Sequence, residues 1–157
     1  MSIVTAAALA LAAAQGGGDP PMNASDPATL EASLREMGYA PDPMDMSSDT
    51  PSTVITSGGG KFWVAMGGCD RRRNCNYVVV GSTFNDVVDP PAAWLLEQNR
   101  DLDLIKVWLN DAKEVTYGSS ILAHGLTRSQ FRAFMEALID SEGTLGRRAI
   151  EAKLNRK

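Results

Sequence analysis

The sequence predicts an α+β domain in which an antiparallel sheet of about five strands has helices on one face, in the order α-β-β-β-α-β-β-α. Helix start signals precede amphipathic patterns near both ends of this region, and a third helix is predicted between them. Short runs rich in β-branched and aromatic residues separate the helices, and turn residues join the runs into hairpins. The predicted strands cover residues 52–57, 61–66, 75–84, 102–110 and 114–123.

The first two predicted helices are marked by their end residues. The first begins at an N-cap, Asp26, followed by Pro27, and ends at Gly38. The second, over residues 89–101, also opens with an aspartate and prolines. Apolar residues recur at helical spacing in the first helix and form one stripe, which consists of Leu30, Leu34 and Met37.

The predicted strands are connected by recognisable turns. The run from Gly58 to Gly60 supplies the positive φ angles that a hairpin between the first two strands requires. Cys69 and Cys75 lie where the second strand ends and the third begins. The Asn-Asp pair in residues 110–113 is typical of a turn between the last two strands.

The last helix has the clearest start signal. Thr127 and Gln130 match a capping box, and Leu126 with Phe131 matches a hydrophobic staple. Beyond Gly143 and Gly146, the basic tail "GRRAIEAKLNRK" is predicted to continue as a short helix. The apolar face of the last helix contains Phe131, Phe134, Met135 and Leu138.

The N-terminus predicts export. Residues 3–14 are almost wholly apolar, but a membrane span needs about 20 such residues. Small residues before Gln15 match a signal-peptide cleavage site, although no Lys or Arg precedes the apolar run, so an alanine-rich arm is the alternative. We therefore predict a signal peptide at 1–14, a flexible linker at 15–25 and one domain at 26–157.

Composition restricts the possible partners. The chain of 157 residues suits one domain, and 44% apolar residues are enough to form a core. Its net charge of -4 and pI near 4.9 argue against nucleic acid or an anionic membrane, because both require a basic surface. The "SGGGK" stretch does not match a phosphate-binding loop, and no cofactor is expected.

Both cysteines lie in the stretch "GGCDRRRNCNYVVVG". A zinc site needs about four ligands at short spacings, whereas the chain offers two cysteines and one distant histidine, so no metal is expected. A redox pair would favour the C-x-x-C spacing with a thiol at a helix N-terminus. In an exported chain, a disulfide between Cys69 and Cys75 is therefore the favoured interpretation.

Two groups of residues are candidates for binding a partner. The disulfide would hold Arg71, Arg72 and Arg73 at an exposed loop tip, which is either a solvated turn or a contact for an anion or acidic peptide. Trp63 and Trp108 alternate away from the aliphatic residues of their strands. They either pack against a helix or form a partly exposed sheet face that binds a partner.

No catalytic constellation is visible in the sequence. His124 lies in a loop before the last helix, without a recognisable nucleophile paired to it. Asp101 and Asp103 flank Leu102 and are interpreted as the solvated start of a strand rather than as a catalytic pair.

From about residue 27 to residue 142 the chain resembles the YbjN-like family, also called bacterial sensory-transduction regulators. The resemblance lies in "LEASLREMGYAP", in "KFWVAMGGCDRRRNCNYVVVGSTF" and in "LLEQNRDLDLIKVWLNDAKEVTYGSSILAHGLTRSQFRAFMEAL", where Asn99 stands at the family's Asn position. It implies a fold similar to type III secretion chaperones, a twisted antiparallel sheet with helices against one face. It carries over no catalytic residues.

We therefore expect an exported, periplasmic and non-enzymatic domain of the bacterial envelope. It would bind a protein or peptide in a chaperone-like or regulatory role, and a homodimer is one form of such binding. The alternatives are a small hydrolase-like periplasmic enzyme with a pocket near His124, and a structural envelope protein without a specific ligand. A deep polar pocket at His124 would favour the enzyme, and an exposed apolar sheet face would favour binding.

Overall fold

The computed structural model describes residues 19–154, which form three helices and one antiparallel sheet of five strands. The helices are α1 (Pro27–Glu36), α2 (Ala92–Asp101) and α3 (Arg128–Glu151). The strands are β1 (Ser52–Ser57), β2 (Gly60–Gly67), β3 (Tyr77–Val88), β4 (Lys106–Leu109) and β5 (Glu114–Leu122). The predicted fold class and element order are confirmed, whereas the predicted signal peptide lies outside the described residues.

The sheet has the strand order β1-β2-β3-β5-β4, so β1 and β4 are its edges. A two-residue turn with positive φ at Gly58 and Gly59 joins β1 to β2, as the glycine run predicted. The predicted strand over residues 102–110 is shortened to the four residues of β4, and it pairs only with Val115–Gly118 of β5. Residues 102–105 instead connect the end of α2 to the sheet.

One face of the sheet packs against the helices. The Tyr117 ring of β5 lies 5.5 Å from the Phe84 ring of β3, and a Cβ added at Gly146 of α3 would lie 3.6 Å from Phe84. Tyr39, just after α1, makes an edge-to-face contact of 6.0 Å with Phe131 of α3. The strand residues of this core include Ile55, Phe62, Val64, Met66, Val78, Val80, Val107, Val115 and Tyr117.

The last helix is longer than the sequence indicated. Its capping box forms as predicted, with Gln130 N–H donating to Thr127 and Thr127 N–H donating to the Gln130 side chain. The helix runs without interruption through both glycines as far as Glu151, so the first part of the basic tail belongs to α3 itself. Leu145 and Ala149 continue its buried face and hold this part against the core. None of the helices within residues 19–154 is long and apolar enough to cross a membrane.

Residues 19–25, predicted as part of a flexible linker, pack against the domain. Met22 and Ala24 are fully buried. Met22 N–H donates to Leu126 O at 2.8 Å, and Met22 O accepts a hydrogen bond from Ser33 Oγ at 2.6 Å. The packed part of the chain therefore begins before residue 26, because these apolar side chains join α1 to the start of α3.

Candidate functional site

The face of the sheet opposite the helices carries both predicted tryptophans. Strand residues alternate between faces, so the residues in register with Trp63 share its face. We call this surface the tryptophan face. It includes Val54, Lys61, Trp63, Ala65, Tyr77, Val79, Gly81, Lys106, Trp108, Gly118, Ser120 and Leu122.

The two indole rings meet above glycines of the central strands. Their centroids are 6.3 Å apart at an interplanar angle of 64°. A Cβ added at Gly81 would lie 2.3 Å from the Trp63 ring, and one added at Gly118 would lie 3.1 Å from Trp63 and 3.2 Å from Trp108. Glycine at these positions therefore leaves the space in which the two rings lie against β3 and β5.

The tryptophan face remains partly accessible. Trp108 is 39% exposed, Tyr77 40% and Leu122 73%, whereas Phe62, next to Trp63 but on the helix face, is fully buried. Trp63 itself is half-buried. The first interpretation of the tryptophans, core packing against a helix, is wrong, because α1 and α3 cover the opposite face.

A groove of about 390 Å³ runs along one side of the tryptophan face. Tyr77, Trp108 and Ser120 contribute to its floor, and residues 103–106 form its wall. Lys61 and Lys106 are exposed and lie on the same face. The groove thus combines aromatic surface with hydroxyl and charged groups at its rim.

A disulfide joins Cys69 and Cys75. Cys75 is fully buried, and its N–H donates to Ser25 O at 2.8 Å, so the bridge also lies against the segment before α1. Between the cysteines, Asp70 and Arg73 exchange two backbone hydrogen bonds of 2.7 and 2.9 Å. The bridge therefore closes a tight loop between β2 and β3.

The three arginines of this loop have separate surroundings. Arg72 donates to Met46 O at 2.8 Å and lies 3.6 Å from Asp49. Arg71 points into solvent, and Arg73 lines a small cavity that also contains Asp26 and Glu31. Their side chains are not brought together around one point, and part of their charge is directed at acidic residues of the chain itself.

His124 lies at an open, mostly apolar depression. The side chain is exposed, and the other lining residues are Ile121, Leu122, Gly125, Leu126, Gln130 and Ala133. This lining contains no carboxylate, serine or cysteine, so nothing in the depression could act as a nucleophile with His124. Within residues 19–154, no group of three or more His, Cys, Asp or Glu side chains could hold a metal ion.

Asn99 binds the outer edge of the sheet. Its Nδ2 donates to Val107 O at 2.8 Å, and its Oδ1 accepts from Val107 N–H at 2.9 Å. The side chain thus replaces a neighbouring strand at one residue of the edge strand β4. The preceding Gln98 is buried and accepts a hydrogen bond from Arg148 of α3 at 3.0 Å. The end of α2 is therefore bound both to the sheet and to α3.

The sequence did not single out Tyr77, Gly81, Gly118 or Leu122, although they build the tryptophan face. A usable signal was present, because the glycines interrupt two otherwise strand-like runs, "VVVGST" and "TYGSSI". Glycine inside a strand often marks a close approach by another group. In this sheet the approaching groups are the tryptophan rings and, at both glycines, a backbone carbonyl of the neighbouring strand.

Comparisons with known proteins identify the family. No curated protein matches the chain significantly. Among solved structures, the chain is similar to the Yersinia pestis type III secretion chaperone SycH in complex with a stable fragment of YscM2, with 14% identity and a TM-score of 0.49. That similarity covers 74% of this chain and 95% of the other. The sequence model of the YbjN family, described as "Putative bacterial sensory transduction regulator", matches residues 26–142. This match spans well over half of the chain, which therefore belongs to the YbjN family.

Proposed function

We propose that this chain is an exported, non-enzymatic protein-binding domain of the bacterial envelope, with a chaperone-like or regulatory role. It docks a segment of a partner protein on the tryptophan face. The observation that carries this proposal is the contact between Trp63 and Trp108 on a sheet face opposite the helices. Tryptophan and tyrosine dominate the binding energy of many protein interfaces, and exposed aromatic surface commonly marks a binding site.

The charges of this face favour a different protein over a second copy. Lys61 and Lys106 are both exposed there. Two copies placed face to face would bring four ammonium groups into one interface, and like charges at an interface cost free energy. A partner segment that carries carboxylates would instead find opposite charges at the ends of the aromatic surface.

Two further observations support the proposal. The disulfide between Cys69 and Cys75 supports export, because disulfides persist in oxidising compartments such as the periplasm. The apolar lining beside His124 offers no support for the alternative of a hydrolase, since hydrolysis requires convergent polar groups.

Site-specific photo-cross-linking in the native envelope tests the proposal. A photoreactive amino acid is placed at Lys106 on the tryptophan face or, as the control, at Glu136, which is exposed on α3. We expect the Lys106 position to capture a defined protein and the Glu136 position not to capture it. The Trp108→Ala change should remove this adduct while the circular dichroism spectrum stays that of the folded chain.

Two results would contradict the proposal. One is the same set of adducts from both positions, which indicates random collision. The other is a Lys106 adduct that persists in folded Trp108→Ala, which indicates that the aromatic surface takes no part in binding.

A further inference from the structure

The strands β4 and β5 differ in length, which leaves part of one strand edge open. β4 pairs with β5 only as far as Lys106 opposite Gly118. β5 continues to Leu122 and still pairs there with Tyr77 of β3. Among the described residues 19–154, residues 119–122 therefore have a neighbouring strand on one side only.

The backbone groups at this edge can be assigned from the alternation of the ladder. Asn99 binds the N–H and C=O of Val107, so those groups point away from β5. Antiparallel strands alternate their hydrogen-bonding direction, so Lys106 points its own N–H and C=O towards Gly118.

The same alternation continues along β5. Gly118 directs its polar groups towards β4, and therefore Ser120 and Leu122 direct theirs to the same side, beyond the end of β4. An independent hydrogen bond agrees with this assignment, because Ala123 N–H donates to Asn76 O on the β3 side at 2.9 Å. Two residues of β5 thus present backbone donors and acceptors at an open edge.

Two surface grooves flank this open edge: the groove on the tryptophan face and the apolar depression beside His124. On the tryptophan face, Ser120 lies in the groove that also contains Tyr77 and Trp108. On the helix side, Ile121 lies in the apolar depression beside His124. Successive side chains of an extended strand point to opposite faces of a sheet. A strand placed at this edge would therefore direct alternate side chains into the two grooves.

We propose that the partner segment binds by strand addition, pairing its backbone with Ser120 and Leu122 in line with β4. This inference rests on the proposed function and names how that partner is recognised. The segment is extended, has apolar residues at alternate positions, and carries an acidic residue that faces Lys106 rather than Asp103. Main-chain hydrogen bonds supply affinity in this mode of recognition, and the grooves supply specificity.

A segment of another protein fits this edge better than a second copy does. Residues 119–122 span only about 14 Å of strand, at about 3.4 Å per residue. A contact between two copies through so short an edge would bury far less than the roughly 1,200 Å² of a stable interface. An extended segment can in addition fill both grooves with its side chains.

Peptide selection with backbone substitution tests the inference. A phage library of random twelve-residue peptides is selected on the wild-type chain, and the enriched peptides are measured against Ser120→Pro and Ser120→Thr. Proline removes the edge N–H without touching the β3–β5 ladder, whereas threonine keeps it. We expect affinity to fall at least about tenfold in Ser120→Pro and to stay within about twofold in Ser120→Thr.

N-methylation of the enriched peptides provides a second measurement on the wild-type chain. It removes one backbone donor at a time, so it decides the question even where Ser120→Pro fails to fold. We expect methylation at every second position to abolish binding and methylation at the intervening positions to be tolerated. The enriched peptides should contain an excess of Asp and Glu, and the excess should disappear on Lys106→Glu but not on the control Lys113→Glu.

The possible failures are distinguishable. Peptides that depend on Trp108 but show no two-residue periodicity on N-methylation would overturn strand addition and leave the proposed function standing. If no enriched peptide depends on Trp63 or Trp108, both proposals fail. A dimer in sedimentation experiments that dissociates on Ser120→Pro would show that the edge binds a second copy, which overturns the assignment of the partner.

Discussion

Tyr117 shows how a single residue of the core couples stability to pH. Its side chain is fully buried, and within residues 19–154 its hydroxyl makes no hydrogen bond of good geometry, although Glu142 and Ser82 lie close enough to interact with it. Burial raises the pKa of Tyr117 far above its usual value of 10.0, and the Glu142 carboxylate raises it further. The folded chain thus holds this proton more tightly than the unfolded chain does.

The Tyr117→Phe change should therefore alter the response to alkali. Above pH 10 the unfolded chain releases the tyrosine proton and the folded chain does not, so the free energy of unfolding of the wild type falls as pH rises. We expect Tyr117→Phe to show a smaller fall between pH 9 and 11 in urea unfolding followed by circular dichroism. At pH 7 it should be neutral or stabilising by up to about 1 kcal/mol, because an unsatisfied hydroxyl is removed.

The exposed tyrosine provides the control. Tyr77→Phe removes a hydroxyl from a ring that is 40% exposed and should change the free energy of unfolding at pH 7 by less than about 0.5 kcal/mol. A fall of more than about 1 kcal/mol in the free energy of unfolding of Tyr117→Phe at pH 7 would contradict the description of the Tyr117 hydroxyl as unsatisfied. It would show that this hydroxyl makes a stabilising hydrogen bond.

At the scale of elements, side-chain hydrogen bonds from the end of α2 hold the short strand β4 in place. Gln98 connects the helix to Arg148 of α3, and Asn99 binds both backbone groups of Val107. β4 has only four residues and lies at the edge of the sheet. An edge strand this short depends on whatever covers its outer side, because its own ladder contributes few hydrogen bonds.

Removal of the Asn99 side-chain amide should destabilise this edge. We expect Asn99→Ala to lower the free energy of unfolding by roughly 1–3 kcal/mol, since it leaves two backbone groups of Val107 without their partner. Hydrogen exchange at the Val107 amide should accelerate more than exchange at Val80, which lies in a central strand. Asn99→Asp retains the acceptor for Val107 N–H and loses the donor, so its stability should be intermediate. Equal stability of Asn99→Ala and the wild type would contradict this prediction, because it would show that water replaces the two Asn99 hydrogen bonds without loss of stability.

At the scale of the whole molecule, the disulfide and the N-terminal segment both concern the cellular compartment in which the protein is found. Cys69 and Cys75 are paired, and the packed chain already begins before residue 26. Cleavage before Gln15 would therefore leave the buried Met22 and Ala24 in place. All core residues of the described part of the chain, from Met22 onwards, lie beyond that cleavage point.

The export hypothesis predicts a processed protein in the periplasm. N-terminal sequencing of the native protein should find a start near Gln15, and denatured samples should release no free thiol until they are reduced. The mechanism is removal of the apolar segment by a signal peptidase followed by oxidation in the periplasm. Intact Met1 in a cytosolic fraction, together with two titratable thiols, would contradict export.

By itself, the sequence determined the elements and their order, because capping residues, turn glycines and hydrophobic periodicity act over a few residues. Asp26, the Gly58–Gly59 turn and the Thr127 capping box all form as predicted. The cysteine pairing was also predictable, since few chemistries suit two cysteines at that spacing. Met22 was missed because a single apolar residue in a Gly- and Pro-rich stretch carries no periodic signal.

Only the tertiary structure decided what the tryptophans and Asn99 do. Trp63 and Trp108 lie 45 positions apart on non-adjacent strands, and the strand order β1-β2-β3-β5-β4 with its register brings them together above Gly81 and Gly118. The unequal lengths of β4 and β5 likewise became visible only through their pairing. The physical reason is that local propensity specifies a strand but not its neighbour, which is selected by long-range packing of the whole core.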